Sequence, residues 1–324
     1  MFPDLCLGRP LPVQDAIDPQ ESGNGYALRM VVANHLEFFD LTRALCTIGH
    51  RYLPFSTSAT LAYWFGADPV AVARSFPRPH KAHGHLATLL MGAEFNRPYH
   101  IRVSRPQLCG LCLREKALAR VSWDVSLVTC CPKHRVRLVD RCPSCNRVLC
   151  WRRPGVVTCL CGQDLRHVSS VRATSDEVWL SDRIEGLLFG DARVHAGNID
   201  AARRLLAPLS LDALLRVVRT LGIAPGRGGP ENAPGRLTRL LTSEEATVVV
   251  TRAFSRLRLM LARGHLPSGA APIPMGEVRS LCEEQFGAQA EVLHMLLNRI
   301  ACAEHKQRMP ELRSRQLLLF TEEP

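Results

Sequence analysis

Nine of the thirteen cysteines lie between Leu108 and His167, and read as metal ligands they fall into two sets of four. In the first, two residues separate Cys109 from Cys112, eighteen follow, and then come Cys131 and His134. In the second, two residues separate Cys142 from Cys145, thirteen follow, and then come Cys159 and Cys161. A tetrahedral zinc ion is gripped by two tight turns that each supply two soft ligands. Spacers of roughly 15 to 20 residues between such turns are usual in zinc ribbons. The pattern predicts two Zn2+ ions, one held by three thiolates and an imidazole, the other by four thiolates. Both are expected to be structural, because four protein ligands leave no open position for a reacting water.

Some assignments stay open at this level. Cys130 or Cys150 could displace a neighbour as ligand, and His167 could replace Cys161. Cys6, Cys46, Cys282 and Cys302, with whichever of Cys130 and Cys150 is left over, read as small buried hydrophobes. Gly162 can supply the positive φ that the tight turn through Cys161 calls for. The Met1 to Pro12 segment lacks a basic start and an apolar run, so reduced thiols and a cytoplasmic, nucleoid-associated location are expected.

Charge follows the cysteines. Between Arg97 and Arg172 there are fifteen Lys and Arg against four acids, an excess that equals the formal net charge of +11 of the whole chain. Seven thiolates and two divalent ions reduce that excess to about +8. An Arg-rich knuckle suits phosphate, and the residues singled out for nucleic-acid contact are Arg114, Lys116, Arg120, Lys133, Arg135, Arg137, Arg147, Arg152 and Arg153. Trp123 and Trp151 could stack on bases or cover the ribbon. The alternative is a solvated basic face or a dock for an acidic partner. No apolar run approaches the ~20 residues that span a bilayer, so no membrane partner is expected.

The elements that must position this region read as mainly α. Residues 1–96 form an N-terminal helical segment with a helix-turn-helix-like corner. Residues 97–172 hold tandem zinc ribbons with short β-hairpins. Residues 173–309 are a C-terminal helical domain, and 310–324 a flexible tail. Met1 to Gln20 is Pro-rich and extended. Leu28, Val31, Val32 and Leu36 mark a first helix whose start Gly23 and Gly25 weaken, and Asp40 caps a second with Leu41, Leu45 and Ile48 inward. The stretch from Ser56 to Phe76 reads as helix, a Gly66-Ala67-Asp68 turn, and a helix capped by Asp68 with Pro69 at its first position. That second helix offers only Arg74 to DNA. His80, His83 and His85 fall in a Pro and Gly linker that reads as a solvated loop.

Farther on, Leu180, Ile184, Leu187 and Leu188 form one stripe, and Leu211, Leu214, Leu215, Val218 and Leu221 another after a Ser210 cap. Pro225 to Gly235 reads as a linker. A helix from about Glu244 to Arg263 is capped by Ser243 with Leu257 and Leu261 inward. A last stripe uses Val292, Leu293, Leu296, Leu297 and Ile300.

The chain resembles the TniQ family, targeting proteins of bacterial transposons that work with a DDE transposase and an AAA+ regulator. Pro12, Glu21-Ser22, Arg29 and Asn34 resemble the opening motif, and the helices around Gly66 those that follow it. More specific are Cys109-Gly-Leu-Cys112-Leu, Trp123, Val128-Thr-Cys-Cys131-Pro-Lys-His134, Leu138, Cys142-Pro-Ser-Cys145 and Cys159-Leu-Cys161-Gly-Gln-Asp164-Leu. Tyr26 stands where Trp is usual, Gly110 where Pro is usual, and the spacer from Pro12 to Glu21 is long. The resemblance implies a non-enzymatic target-selection adaptor without catalytic residues. It would bind target DNA, or a protein or RNA-guided complex on it, and recruit the AAA+ ATPase and through it the transposase. A homodimer is compatible with that role.

Gln316-Leu317-Leu318-Leu319-Phe320 resembles the peptide by which bacterial proteins bind the replicative sliding clamp. Gln316 would hydrogen-bond in the clamp pocket, with Leu317, Leu319 and Phe320 as apolar anchors. The bland alternative packs the same leucines on the chain's own helices. Two other function classes compete with the adaptor: a free-standing zinc-ribbon DNA-binding regulator, and a thiol redox enzyme built on a Cys-x2-Cys pair. Zinc ligation would silence the second.

Overall fold

Six polar side chains near the start of the chain fix its first layer. The computed structural model describes residues 8–47, 49–82, 85–190, 199–223, 239–264, 273, 276–285, 287 and 289–302. The extended lead-in runs along a later helix, with the Leu11 and Asp15 amides donating to the carbonyls of Trp64 and Phe65. The Asn34 side chain clamps Val13 from both sides, accepting from its N–H and donating to its C=O, each at 2.9 Å. Arg29 grips the fully buried Glu21 through Nε and Nη2, each at 2.9 Å, and reaches Asp15 at 2.6 Å. Ser22 donates to Asp124, 102 residues away, at 2.6 Å. Asn24 pairs with the backbone of Leu53 in both directions. These tie points explain why the opening motif needs those polar residues.

Helix α1, Gly23–Ala33, buries Tyr26, Leu28, Met30 and Val31. Val32, expected in the inward stripe, is 42% exposed because the buried face turns toward Tyr26 and Met30 instead. Gly23 and Gly25 serve close packing: a Cβ at Gly23 would stand 2.3 Å from the Phe76 ring, and one at Gly25 2.7 Å from Ala119. Helix α2, Phe38–Leu45, is capped by Glu37, and Asp40, expected as the cap, sits at the third position and closes the capping box.

Helices α3, Ser58–Phe65, and α4, Pro69–Arg74, meet at the expected corner. Gly66 is left-handed and Asp68 accepts from the amides of Val70 and Ala71. Six residues make α4 less than two turns, and Arg74 is tied to the Met91 carbonyl.

The expected loop after α4 is instead a three-stranded antiparallel sheet, β1 Arg78–Ala82, β2 His85–Leu90 and β3 Ala93–Phe95, in the order β1-β2-β3. Met91 and Gly92, both at positive φ, make the second turn. His80 lies exposed on β1 opposite Ala87, and His83 is outside the described residues.

The cysteine-rich stretch adds helix α5, Gly110–Glu115, and a short hairpin of β4, Cys130–Cys131, with β5, Val136–Arg137. Helix α6, Ser175–Phe189, carries the capping box of Thr174 and Glu177, buries Leu180, Ile184 and Leu188, and packs on β4. These elements all fall within a first compact unit, Met1–Ala192 with Leu240–Ala246.

The second unit, Arg193–Arg239 with Thr247–Pro324, is helical among its described residues. It holds α7, Ala201–Leu206, α8, Leu211–Gly222, most of α9, Ser243–Arg263, then α10, Gly276–Glu284, and a last helix over residues 289–302. Ser210 caps α8 as expected. Thr242 rather than Ser243 caps α9, in a reciprocal pair with Glu245. Arg216, fully buried on α8, is held by Asp212, Glu277 and Glu284. Leu293, Leu296 and Ile300 face inward on the last helix. No described helix is long and apolar enough to cross a membrane. Ile48, the Pro225 to Gly235 linker and the Gln316 to Phe320 peptide lie outside the described residues.

Burial pushes the Asp124 carboxyl up to about 7, against the opposing pull of Ser22 and Arg102. A carboxyl raised on folding contributes stability at low pH that is lost as pH climbs toward the folded value. Asp124→Asn is expected to gain stability relative to the parent as pH rises from 5 to 7, by about 2 kcal/mol. Urea denaturation of both proteins at the two pH values measures it.

Candidate metal centres

Each knuckle is built by the backbone before any metal is considered. Cys109 precedes α5, whose first turn carries Cys112, and the Leu113 amide returns to the Cys109 carbonyl at 3.1 Å. The other three turns close on their first cysteine with a residue at positive φ. Arg135 donates its amide to the Cys131 carbonyl at 2.7 Å, Asn146 to Cys142 at 2.9 Å and Gly162 to Cys159 at 2.9 Å. The third of these is one residue tighter, and Gly162 has the positive φ expected of it, at 86°. Gly110 allows α5 to lie against the Leu165–His167 turn: the Leu165 carbonyl oxygen is 2.9 Å from where a Cβ would stand. Arg114 Nε donates to the Arg166 carbonyl at the same contact, 2.7 Å.

The result is two clusters, Cys109, Cys112, Cys131 and His134, and Cys142, Cys145, Cys159 and Cys161, with the ligand atoms of each within 4.8 Å of one another. In the first, His134 Nδ1 lies 3.6, 3.3 and 3.4 Å from the sulfurs of Cys109, Cys112 and Cys131, and the last two sulfurs are 3.4 Å apart. In the second, Cys142 to Cys161 is 3.7 Å and Cys145 to Cys159 3.9 Å. A tetrahedral ion with sulfur bonds of about 2.3 Å and a nitrogen bond of about 2.0 Å spaces its ligands about 3.5 to 3.8 Å apart. Both donor sets fit such an ion, and both clusters could hold one.

The electrostatics point the same way. Thiols that hydrogen-bond to Cys109 pull it down to about 3, and the reciprocal contact drives Cys112 far up. The Gln163 amide lowers Cys161 to about 7, while burial raises Cys159 to about 12. In each cluster one thiol is thus held low and another high, as expected of sulfurs close enough to share a proton.

The remaining thiols stand apart. Cys130 is fully buried and meets Ser181 Oγ at 3.4 Å, and burial raises it to about 12. His167 is exposed beside Asp164, so Cys161 and not His167 completes the second cluster. Cys46, Cys150 and Cys282 are half-buried and Cys302 is exposed, which differs from the expected full burial; Cys6 lies outside the described residues. Trp123 and Trp151 are buried, Trp151 donating to the Val103 carbonyl at 2.8 Å, so they cover the core and offer no face to a base.

The basic residues divide by what already neutralises them. Lys116 pairs with Asp18, Arg120 with Glu185, Lys133 with Glu115 and Arg137 with Glu177. Arg152 donates to the His50 carbonyl and lies over Phe39. Arg153 is buried, holds the carbonyls of Cys150, Gly155 and Val156, and is lowered to about 10 by burial. Arg114, though exposed, is tied to a backbone carbonyl. Arg135 and Arg147 are exposed, and their side chains have no partner among the described residues. Both sit on knuckle turns.

One support of this region escaped the sequence reading. Arg102, fully buried, donates to Asp140 at 2.7 Å and to the Leu241 carbonyl at 2.6 Å. Asp140 also accepts the Ser243 amide, and Ser243 Oγ donates to Gln107 at 2.7 Å. An Arg-Asp pair 38 residues apart leaves no local spacing signal.

Elemental analysis of the purified chain is expected to find two metal equivalents, falling to one in Cys112→Ser and to one in Cys145→Ser. The loaded protein should resist thiol alkylation at both clusters and lose that resistance on chelation; fast alkylation of the loaded clusters would favour the redox reading.

No curated protein matches the chain. Residues 12–138, which span the N-terminal tie points, the sheet and the whole first cluster but stop short of the second, match the TniQ family model.

Proposed function

We propose that this protein is a non-enzymatic target-selection component of a transposition system, with two structural zinc ions. The observation that carries the reading is the TniQ match, which includes the first cluster. TniQ proteins are transposition-associated targeting proteins. Zinc is the ion that best suits tetrahedral sets of four thiolates, or of three thiolates with an imidazole, in a reducing compartment, and filled coordination leaves it no catalytic role. In this reading the zinc-bearing region, 97–172, meets target DNA or a complex bound to it. The protein recruits an AAA+ regulator, which engages a DDE transposase. In this reading the divisions at 96, 172 and 309 are functional ones, laid over the two compact units.

Among the basic residues, Arg135 and Arg147 are the strongest candidates for phosphate contact, since they alone of the nine are exposed with no partner among the described residues. Arg135→Ala with Arg147→Ala is expected to weaken DNA retention and to reduce the slope of log K against log salt by about 2. Lys116→Ala, already paired with Asp18, should change the slope less.

A second reading, a free-standing zinc-ribbon DNA-binding regulator, is favoured by one fact: the second cluster and Arg147 lie outside the matched segment. Retention on target DNA at two salt concentrations, with and without the AAA+ partner, separates the two. Dependence on the partner supports the adaptor; strong salt-sensitive binding indifferent to it supports the regulator. The Gln316, Leu317, Leu319 and Phe320 peptide adds a proposed link to the replicative sliding clamp, resting on sequence alone. Clamp retention should be lost in the Leu317→Ala, Phe320→Ala double variant.

A further inference from the structure

The first cluster differs from the second in having an imidazole ligand, and an imidazole has a second nitrogen to be satisfied. His134 Nδ1 faces the three sulfurs, so its proton must sit on Nε2 when a metal is bound. That Nε2 lies 3.1 Å from Glu115 Oε1. The other Glu115 oxygen, Oε2, accepts from Lys133 Nζ at 2.5 Å. Glu115 ends α5, three residues after the ligand Cys112, and Lys133 immediately precedes the ligand His134. The two halves of the cluster are thus joined outside the metal as well as through it.

We propose that Glu115 is the positioning residue of the first metal site. Its carboxylate fixes the His134 tautomer and ring orientation, and Lys133 anchors that carboxylate. A carboxylate behind a metal-bound imidazole also strengthens the nitrogen as a donor. Three thiolates and a divalent ion leave a single net negative charge on the site, to which Glu115 adds another. Lys133 offsets this, which gives the lysine a role at the metal site rather than at nucleic acid. The inference rests on the reading that the first cluster holds a divalent metal. No described carboxylate takes a corresponding place at the all-thiolate second cluster, which makes that cluster an internal control.

The test uses the full chain loaded with Co2+, whose absorption distinguishes the mixed thiolate-imidazole site from the all-thiolate site, in competition with a chromophoric chelator. Glu115→Ala should release cobalt from the mixed site roughly 10- to 100-fold more readily, with the all-thiolate cobalt unchanged. Glu115→Gln can still accept from Nε2 but lacks the charge, and should fall between Glu115→Ala and the parent. Lys133→Ala should weaken the mixed site less than Glu115→Ala does. Equal retention of cobalt at the mixed site in Glu115→Ala and the parent overturns the proposal. So does equal weakening of both sites, which would mark a general effect on folding. A parent that binds no cobalt at the mixed site overturns the metal reading of the cluster itself, an outcome separate from the other two.

Discussion

Seven sulfurs and an imidazole nitrogen gathered into two spaces a few ångströms wide are the constraint on which the first unit depends. Their closeness lowers the Cys109 thiol and raises Cys112, while the Gln163 amide lowers Cys161 and burial raises Cys159. A divalent ion held there would share the charge of the sulfurs, and the free energy of its binding would be folding energy for a stretch whose strands are two residues long. The packing around the clusters assumes this order. The α5 helix rests on the Leu165–His167 turn through a missing Cβ, and α6 covers β4.

The buried polar pairs do a different job. Glu21 with Arg29, Ser22 with Asp124, and Arg102 with Asp140 join segments that share no continuous secondary structure. A buried charge or polar group left without its partner is costly, so each pair specifies one arrangement of otherwise irregular chain. The arrangement holds the N-terminal helices and the first cluster together, which is the extent of the TniQ match.

A basic composition proved a poor guide to a basic surface. The excess of positive charge between Arg97 and Arg172 suggests nine contacts to phosphate, yet the fold spends most of those cations on carboxylates from distant segments and on backbone carbonyls. Acids outside the window, among them Asp18, Glu177 and Glu185, supply the neutralisation. Linear counting over a window has no access to them. Arg135 and Arg147, exposed on knuckle turns, have no side-chain partner among the described residues.

The cysteine spacing pointed to the eight residues that gather and to their two groups, because a short knuckle gives its two ligands a common neighbourhood, but Cys130, Cys150 and His167 stayed open as alternatives until the fold placed them apart. Helix starts with a strong local signature, such as Asp68-Pro69 and Ser210, were equally legible, since a cap is a contact between near neighbours. The β1-β2-β3 sheet was not, because Pro and Gly signals dominate residues 77–92 and strand pairing is a property of two segments at once. Nor were the caps Glu37 and Thr242, where a nearby acceptor, Asp40 or Ser243, had equal claim by composition. Only the tertiary structure decided which of the nine singled-out cations meet partners among the described residues, that His134 turns Nδ1 inward and Nε2 to Glu115, and that Ser22 finds Asp124. Each depends on the approach of groups distant in sequence, and that approach is set by packing rather than by local preference.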